Sequence, residues 1–79
     1  MKLSQISIGQ RVHFTPSYYL DGEYENGIVK EIPKFAKDPT SLVGYECVRV
    51  VFHCNGELDK YSRYHGSLTK VEDLRNGWK

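Results

Sequence analysis

Residues 45–53 read Tyr-Glu-Cys-Val-Arg-Val-Val-Phe-His, and no other stretch constrains the fold of this chain so strongly. Val48, Val50 and Phe52 alternate with Cys47, Arg49, Val51 and His53. A period of two puts the first set on one face of a pleated strand and the second on the other. β-Branched and aromatic side chains suit such a surface. The spacing predicts a strand with Val48, Val50 and Phe52 turned to a core. Asn55-Gly56, directly after it, is the strongest short-range hairpin signal in the sequence. A three-residue loop Cys54-Asn55-Gly56, with Gly56 left-handed, would pair Phe52 with Leu58 and keep two apolar side chains on one face.

Ile8-Gly9 reads as a turn, after which Val12 and Phe14 alternate with Arg11 and His13 as in a half-buried strand. Residues 15–24 form a loop holding Pro16, Gly22 and three tyrosines, Tyr18, Tyr19 and Tyr24. Asn26-Gly27 marks a turn or bulge. Residues 28–32 form a strand in which Val29 and Ile32 stand three apart, a spacing that a bent or bulged strand reconciles. Residues 33–44 form a second long loop, punctuated by Pro33, Pro39 and Gly44. Residues 58–65 are too polar to fix a register, and Gly66-Ser67-Leu68 is a short closing strand. Thr69 followed three residues later by Glu72 has the form of a capping box for a single helical turn over residues 71–74, with 75–79 as a tail. The expected fold is therefore all-β, one domain in 79 residues: a small five-stranded barrel over 8–74 with a short C-terminal helical turn. Its expected core is Val12, Phe14, Val29, Ile32, Val48, Val50, Phe52, Leu58, Leu68 and Leu74.

Composition narrows the function classes. A chain this short hides only about 60% of its unfolded surface, so its core is small and large rings fill it efficiently. Aromatic residues are 13% of the chain, and charged residues are 27% and interspersed, which argues against disorder. The net charge of +1 lacks the basic excess of a strong nucleic-acid binder. No apolar run approaches the ~20 residues of a membrane span, and no signal peptide is legible at Met1-Lys2-Leu3. Two cysteines, Cys47 and Cys54, fit a reducing compartment, so the expected location is the cytoplasm and no membrane partner is expected.

Gly9-Gln10-Arg11-Val12-His13-Phe14, Asn26-Gly27-Ile28-Val29-Lys30-Glu31-Ile32, Cys47-Val48-Arg49-Val50-Val51-Phe52 and Val71-Glu72-Asp73-Leu74, in that order, resemble the Tudor/KOW-like group of SH3-like barrels. Stand-alone small proteins of bacteria and tailed phages look similar. The resemblance implies a small barrel that binds nucleic acid, peptides, modified side chains or partner proteins, and it does not choose among these.

The chemistry-bearing residues favour binding over catalysis. Cys47, His53, Cys54 and His65 are soft donors, but no Cys-x2-Cys pair exists, and no metal or other cofactor is expected. Cys47 or Cys54 with a histidine, or Ser62 or Ser67 with His65, lacks a third orienting group, so no enzyme is expected. The tyrosines say more. Tyr18, Tyr19, Tyr24, Tyr45, Tyr61 and Tyr64 cannot all lie in so small a core, and tyrosine suits interfaces. The candidate binding surface is Tyr18, Tyr19, Tyr24, Tyr61 and Tyr64 with Lys60 and Arg63. The leading expectation is a module binding a protein or peptide, acting as a monomer or a weak homodimer through an open strand edge. The alternatives are an RNA- or DNA-binding accessory domain, using residues 60–65 as a stacking platform, and a phage- or prophage-encoded inhibitor of a host factor.

Overall fold

The computed structural model describes residues 1–34, 46–62 and 64–79. The expected loop over 33–44 lies largely outside the described residues, as does Arg63. Five antiparallel strands form one curled sheet: β1 (Arg11–Phe14), β2 (Glu25–Glu31), β3 (Cys47–Phe52), β4 (Ser67–Lys70) and β5 (Leu74–Asn76), in the spatial order β4-β3-β2-β1-β5. The described residues contain only short 3-10 turns beside them, at Leu3–Gln5, Leu58–Lys60 and Val71–Asp73. The expected all-β small barrel with a short turn near its C-terminus is the fold observed.

The alternation read from β3 orients the sheet. Val48 and Val50 are fully buried on the concave face, where they join Val12, Val29, Val71, Leu74 and Ile6. Phe14, Ile32 and Phe52 pack on this cluster half-buried. The irregular spacing of Val29 and Ile32 has the expected cause. The β2–β3 register shifts between Val29 and Glu31, so one extra residue turns Ile32 back to the core.

The convex face is covered as well. Ile28, Val51 and Cys54 are buried there beneath Leu58, Tyr61 and Trp78. This explains the adjacent apolar pairs Ile28-Val29 and Val50-Val51, in which each strand supplies one residue to each face. Cys47 and Cys54 are both buried free thiols, and burial pushes the Cys47 thiol pKa up, opposed in part by Lys70.

Five local expectations are corrected. Leu58 does not pair with Phe52: residues 58–60 form a 3-10 turn, and β3 takes β4 as its neighbour on that side, with Val50 opposite Ser67. The left-handed residues His53, Asn55 and Gly56 carry the chain away from the sheet instead of folding it straight back. Asn26-Gly27 is no turn but the interior of β2. A Cβ at Gly27 would lie 2.6 Å from Val50 Cγ1 and 2.8 Å from Phe52 Cδ1, so the missing side chain makes room for close packing. Leu68 is 45% exposed because β4 runs in the opposite phase: Thr69, opposite Val48, takes the inward position and is buried. Its hydroxyl donates to the Ser67 carbonyl at 3.0 Å, which satisfies the buried oxygen. The Thr69–Glu72 capping box does not form, since Lys70 occupies the N-cap of the last turn without a side-chain cap. Finally, the expected tail contributes β5, paired with β1 from Leu74 to Asn76, and Trp78 packs back on the convex cluster. The Trp78 indole N–H donates to the Gly27 carbonyl at 2.8 Å, and the Arg11 guanidinium lies 4.4 Å from the ring centre.

Candidate functional site: an aromatic groove beside β4

Curling the sheet without closing it leaves an opening at one side. Phe14 ends β1 and Phe52 ends β3, so their rings sit at the rim of the concave face rather than at its centre. The rings meet edge to face with centroids 5.8 Å apart. Tyr19 packs edge-on against Phe14 at 5.5 Å, and Tyr18 against Tyr19 at 5.3 Å. Four rings thus run from the core rim to solvent in contacts of the favoured T-shaped kind. They form one wall of an open groove of about 890 Å³. The opposite wall is β4, all four of whose residues, Ser67 to Lys70, line it. Tyr18 is 75% exposed and Leu68 45% exposed, so the groove presents apolar surface to solvent.

The groove holds two carboxylates, Glu25 and Asp73. Glu25 lies opposite Phe14 in the β1–β2 register. The Tyr19 hydroxyl donates to Glu25 Oε2 at 2.6 Å, and His53 Nε2 lies 3.2 Å from Oε1. The hydrogen bond from Tyr19, and next that from His53, hold the Glu25 carboxyl below its ordinary pKa. The same bond to Glu25, with desolvation second, pushes the Tyr19 pKa up to about 12. Both effects fix one protonation pattern near neutrality: a charged Glu25 and a neutral Tyr19 that orients it.

The tyrosines singled out by sequence are divided between faces. Tyr18 and Tyr19 stand together in the groove. Tyr24 is partly exposed and lies near His13, with ring centres 6.4 Å apart, and beneath the Lys79 ammonium at 5.5 Å. Tyr61 packs half-buried on the convex cluster and meets His65 edge-on at 5.2 Å. Tyr64 is 61% exposed. Lys60 pairs with Glu57 at 2.7 Å on the surface. Arg63 lies outside the described residues. The sheet therefore brings together only the first two tyrosines of the expected set.

Phe14 and Phe52, both in the expected core, pack on it and also line the groove, and Glu25 and Asp73 join the expected tyrosines there. A signal was available for the rings. Each is the last residue of its strand, and a large ring at a strand end in a small barrel reaches the mouth. Among the described residues, no three His, Cys, Asp or Glu side chains gather into a metal-binding group. None of the helical turns among them is long and apolar enough to cross a membrane.

No protein-family model, curated protein or solved structure matches this chain.

Proposed function

We propose that this protein is a non-catalytic binding module that takes a protein or peptide partner in the groove between the loop carrying Tyr18 and Tyr19 and strand β4. The observation that carries the proposal is the continuous file of rings from Phe52 through Phe14 and Tyr19 to Tyr18, open to solvent at its outer end. Rigid aromatic anchors beside a groove are the usual carriers of binding energy at protein interfaces. The strand order, with a 3-10 turn between β4 and β5, supports the finer reading of an SH3-like barrel similar to the Tudor/KOW-like group.

Charge supports a polypeptide over a nucleic acid. Glu25 and Asp73 border the groove against one ammonium, Lys70, so its lining carries a single net negative charge, which disfavours phosphate. Three of the described cations elsewhere are engaged singly: Arg49 with Glu31 at 3.0 Å, Lys60 with Glu57 at 2.7 Å, and Lys30 on the Leu58 carbonyl at 2.7 Å.

The test is affinity capture from the native host, followed by substitution against the identified partner. Tyr18→Ala is expected to weaken binding by about 1–3 kcal/mol with little change in stability. Tyr61→Ala is expected to lower stability and leave the affinity of the folded protein unchanged. Lys60→Ala is expected to alter neither the affinity nor its salt dependence. Affinity indifferent to Tyr18→Ala contradicts the proposal, and a salt slope that drops by about one unit with Lys60→Ala points to nucleic acid.

A further inference from the structure

Among the described residues β4 is an edge strand, hydrogen-bonded to β3 on one side only in the sheet order. Its outward groups follow from the register. The Val71 N–H donates to the Glu46 carbonyl at 3.0 Å, which makes Glu46 and Val71 a hydrogen-bonded pair. Alternation along an antiparallel ladder then makes Val48–Thr69 and Val50–Ser67 hydrogen-bonded pairs and Arg49–Leu68 a non-bonded one. The other side of β3 agrees. His53 N–H donates to the Asn26 carbonyl at 3.0 Å, so Val51 and His53 turn their peptide groups to β2, and Val50 turns its own to β4. The N–H and C=O of Leu68 consequently point away from β3, to the open edge.

The groove follows that edge. Neighbouring side chains of a strand point to opposite faces, so a groove on one face touches every second residue. This one touches four in succession, Ser67, Leu68, Thr69 and Lys70. We infer that the groove accepts an extended peptide segment of a partner protein, which adds to β4 as a further strand and lays an apolar side chain against the rings of Phe14, Tyr18 and Phe52. The inference rests on the groove being the binding surface. Strand addition draws its affinity from main-chain hydrogen bonds and its specificity from pockets for alternate side chains. The groove supplies both, and Glu25 and Asp73, opposed only by Lys70 in the lining, favour a Lys or Arg in the segment.

The geometry also distinguishes this occupant from a second copy of the chain. A strand seated here has β4 along one edge and Phe14, Tyr18 and Tyr19 beyond the other. It must enter with both edges free, as an isolated extended segment does. The β4 strand of another copy arrives with its own β3 attached.

The experiment pans phage-displayed random dodecapeptides on the full chain and measures the enriched peptides by titration. A scan of backbone N-methylation along the best peptide then asks which amides matter. Strand addition predicts that methylation at alternate positions weakens binding about tenfold or more and that the intervening positions tolerate it. It also predicts that the Leu68 amide exchanges with solvent about tenfold more slowly in the complex. Leu68→Pro removes the outward N–H without touching the β3 ladder and is expected to weaken binding; the peptide scan serves the same purpose should that variant not fold. Peptides that lose affinity with Tyr18→Ala yet tolerate methylation throughout, with Leu68 exchange unchanged, overturn strand addition and leave the groove standing. Peptides indifferent to Tyr18→Ala overturn both readings. Failure to enrich any peptide, or a homodimer that protects the Leu68 amide by itself, overturns the inference.

Discussion

The Tyr19 hydroxyl and the Glu25 carboxylate meet at 2.6 Å at the edge of the groove, and each holds the other's proton affinity away from its ordinary value. The signs fix the pH dependence. Glu25 is lowered in the folded protein, so its contribution to stability is present above the ordinary carboxyl range near 4.3 and is lost as pH falls through the folded value. Tyr19 is raised to about 12, so its contribution is present below the ordinary tyrosine value near 10 and is lost as pH rises toward 12. Ultraviolet tyrosinate titration is expected to show a late step at about 12. Tyr19→Phe is expected to remove that late step and to bring the Glu25 carboxyl back toward its ordinary pKa, read by carboxyl-carbon NMR.

The phase of β4 is open to a paired test. Leu74 is fully buried and Leu68 is 45% exposed. Leu74→Ala is expected to destabilise by about 2–5 kcal/mol, as large-to-small changes in cores do. Leu68→Ala is expected to stay within about 0.5 kcal/mol of the parent. Chemical denaturation of the two variants measures both, and equal losses would show that Leu68 faces the core after all.

Gly27 is predicted to resist the smallest enlargement. An added methyl at this position meets Val50, Phe52 and the Val51 carbonyl at 2.6, 2.8 and 3.0 Å, and Val50 is fully buried and has nowhere to move. Gly27→Ala is expected to cost about 1–3 kcal/mol, the usual range for overpacking. A thermal melt that does not move would contradict the close approach of β2 and β3.

Both thiols are buried, Cys47 as the first residue of β3 and Cys54 within the convex cluster. Native protein is expected to react slowly with a thiol reagent and to yield two free thiols at once on unfolding. Fast reaction of either in the native state would place it at the surface.

Much of this architecture was legible in residues 45–53, 11–14 and 28–32, where alternation set the faces of three strands and an awkward spacing revealed the bulge. What escaped had physical reasons. Thr69 in the core looks like a surface residue until its hydroxyl finds the Ser67 carbonyl. Leu58 and Trp78 looked like a hairpin partner and a tail residue, since nothing local says that a sheet needs covering on its convex face. Adjacent pairs such as Val50-Val51 did carry that message. The tyrosines were correctly seen as too many for one core, but their partition between groove and convex cluster depends on packing between distant parts of the sequence, as of Tyr61 on the cluster of Ile28, Val51 and Cys54.

The central claim is that the groove lined by Phe14, Tyr18, Phe52 and Leu68 is the binding surface, and amide chemical-shift mapping of the protein with its captured partner or an enriched peptide tests it most directly. The predicted result is a set of perturbed amides confined to the ends of β1 and β3, the Tyr18–Tyr19 loop and β4, with Trp78 and Tyr61 at rest on the opposite face. Perturbations centred on Tyr61, Tyr64 and Trp78, with the groove unchanged, would contradict it.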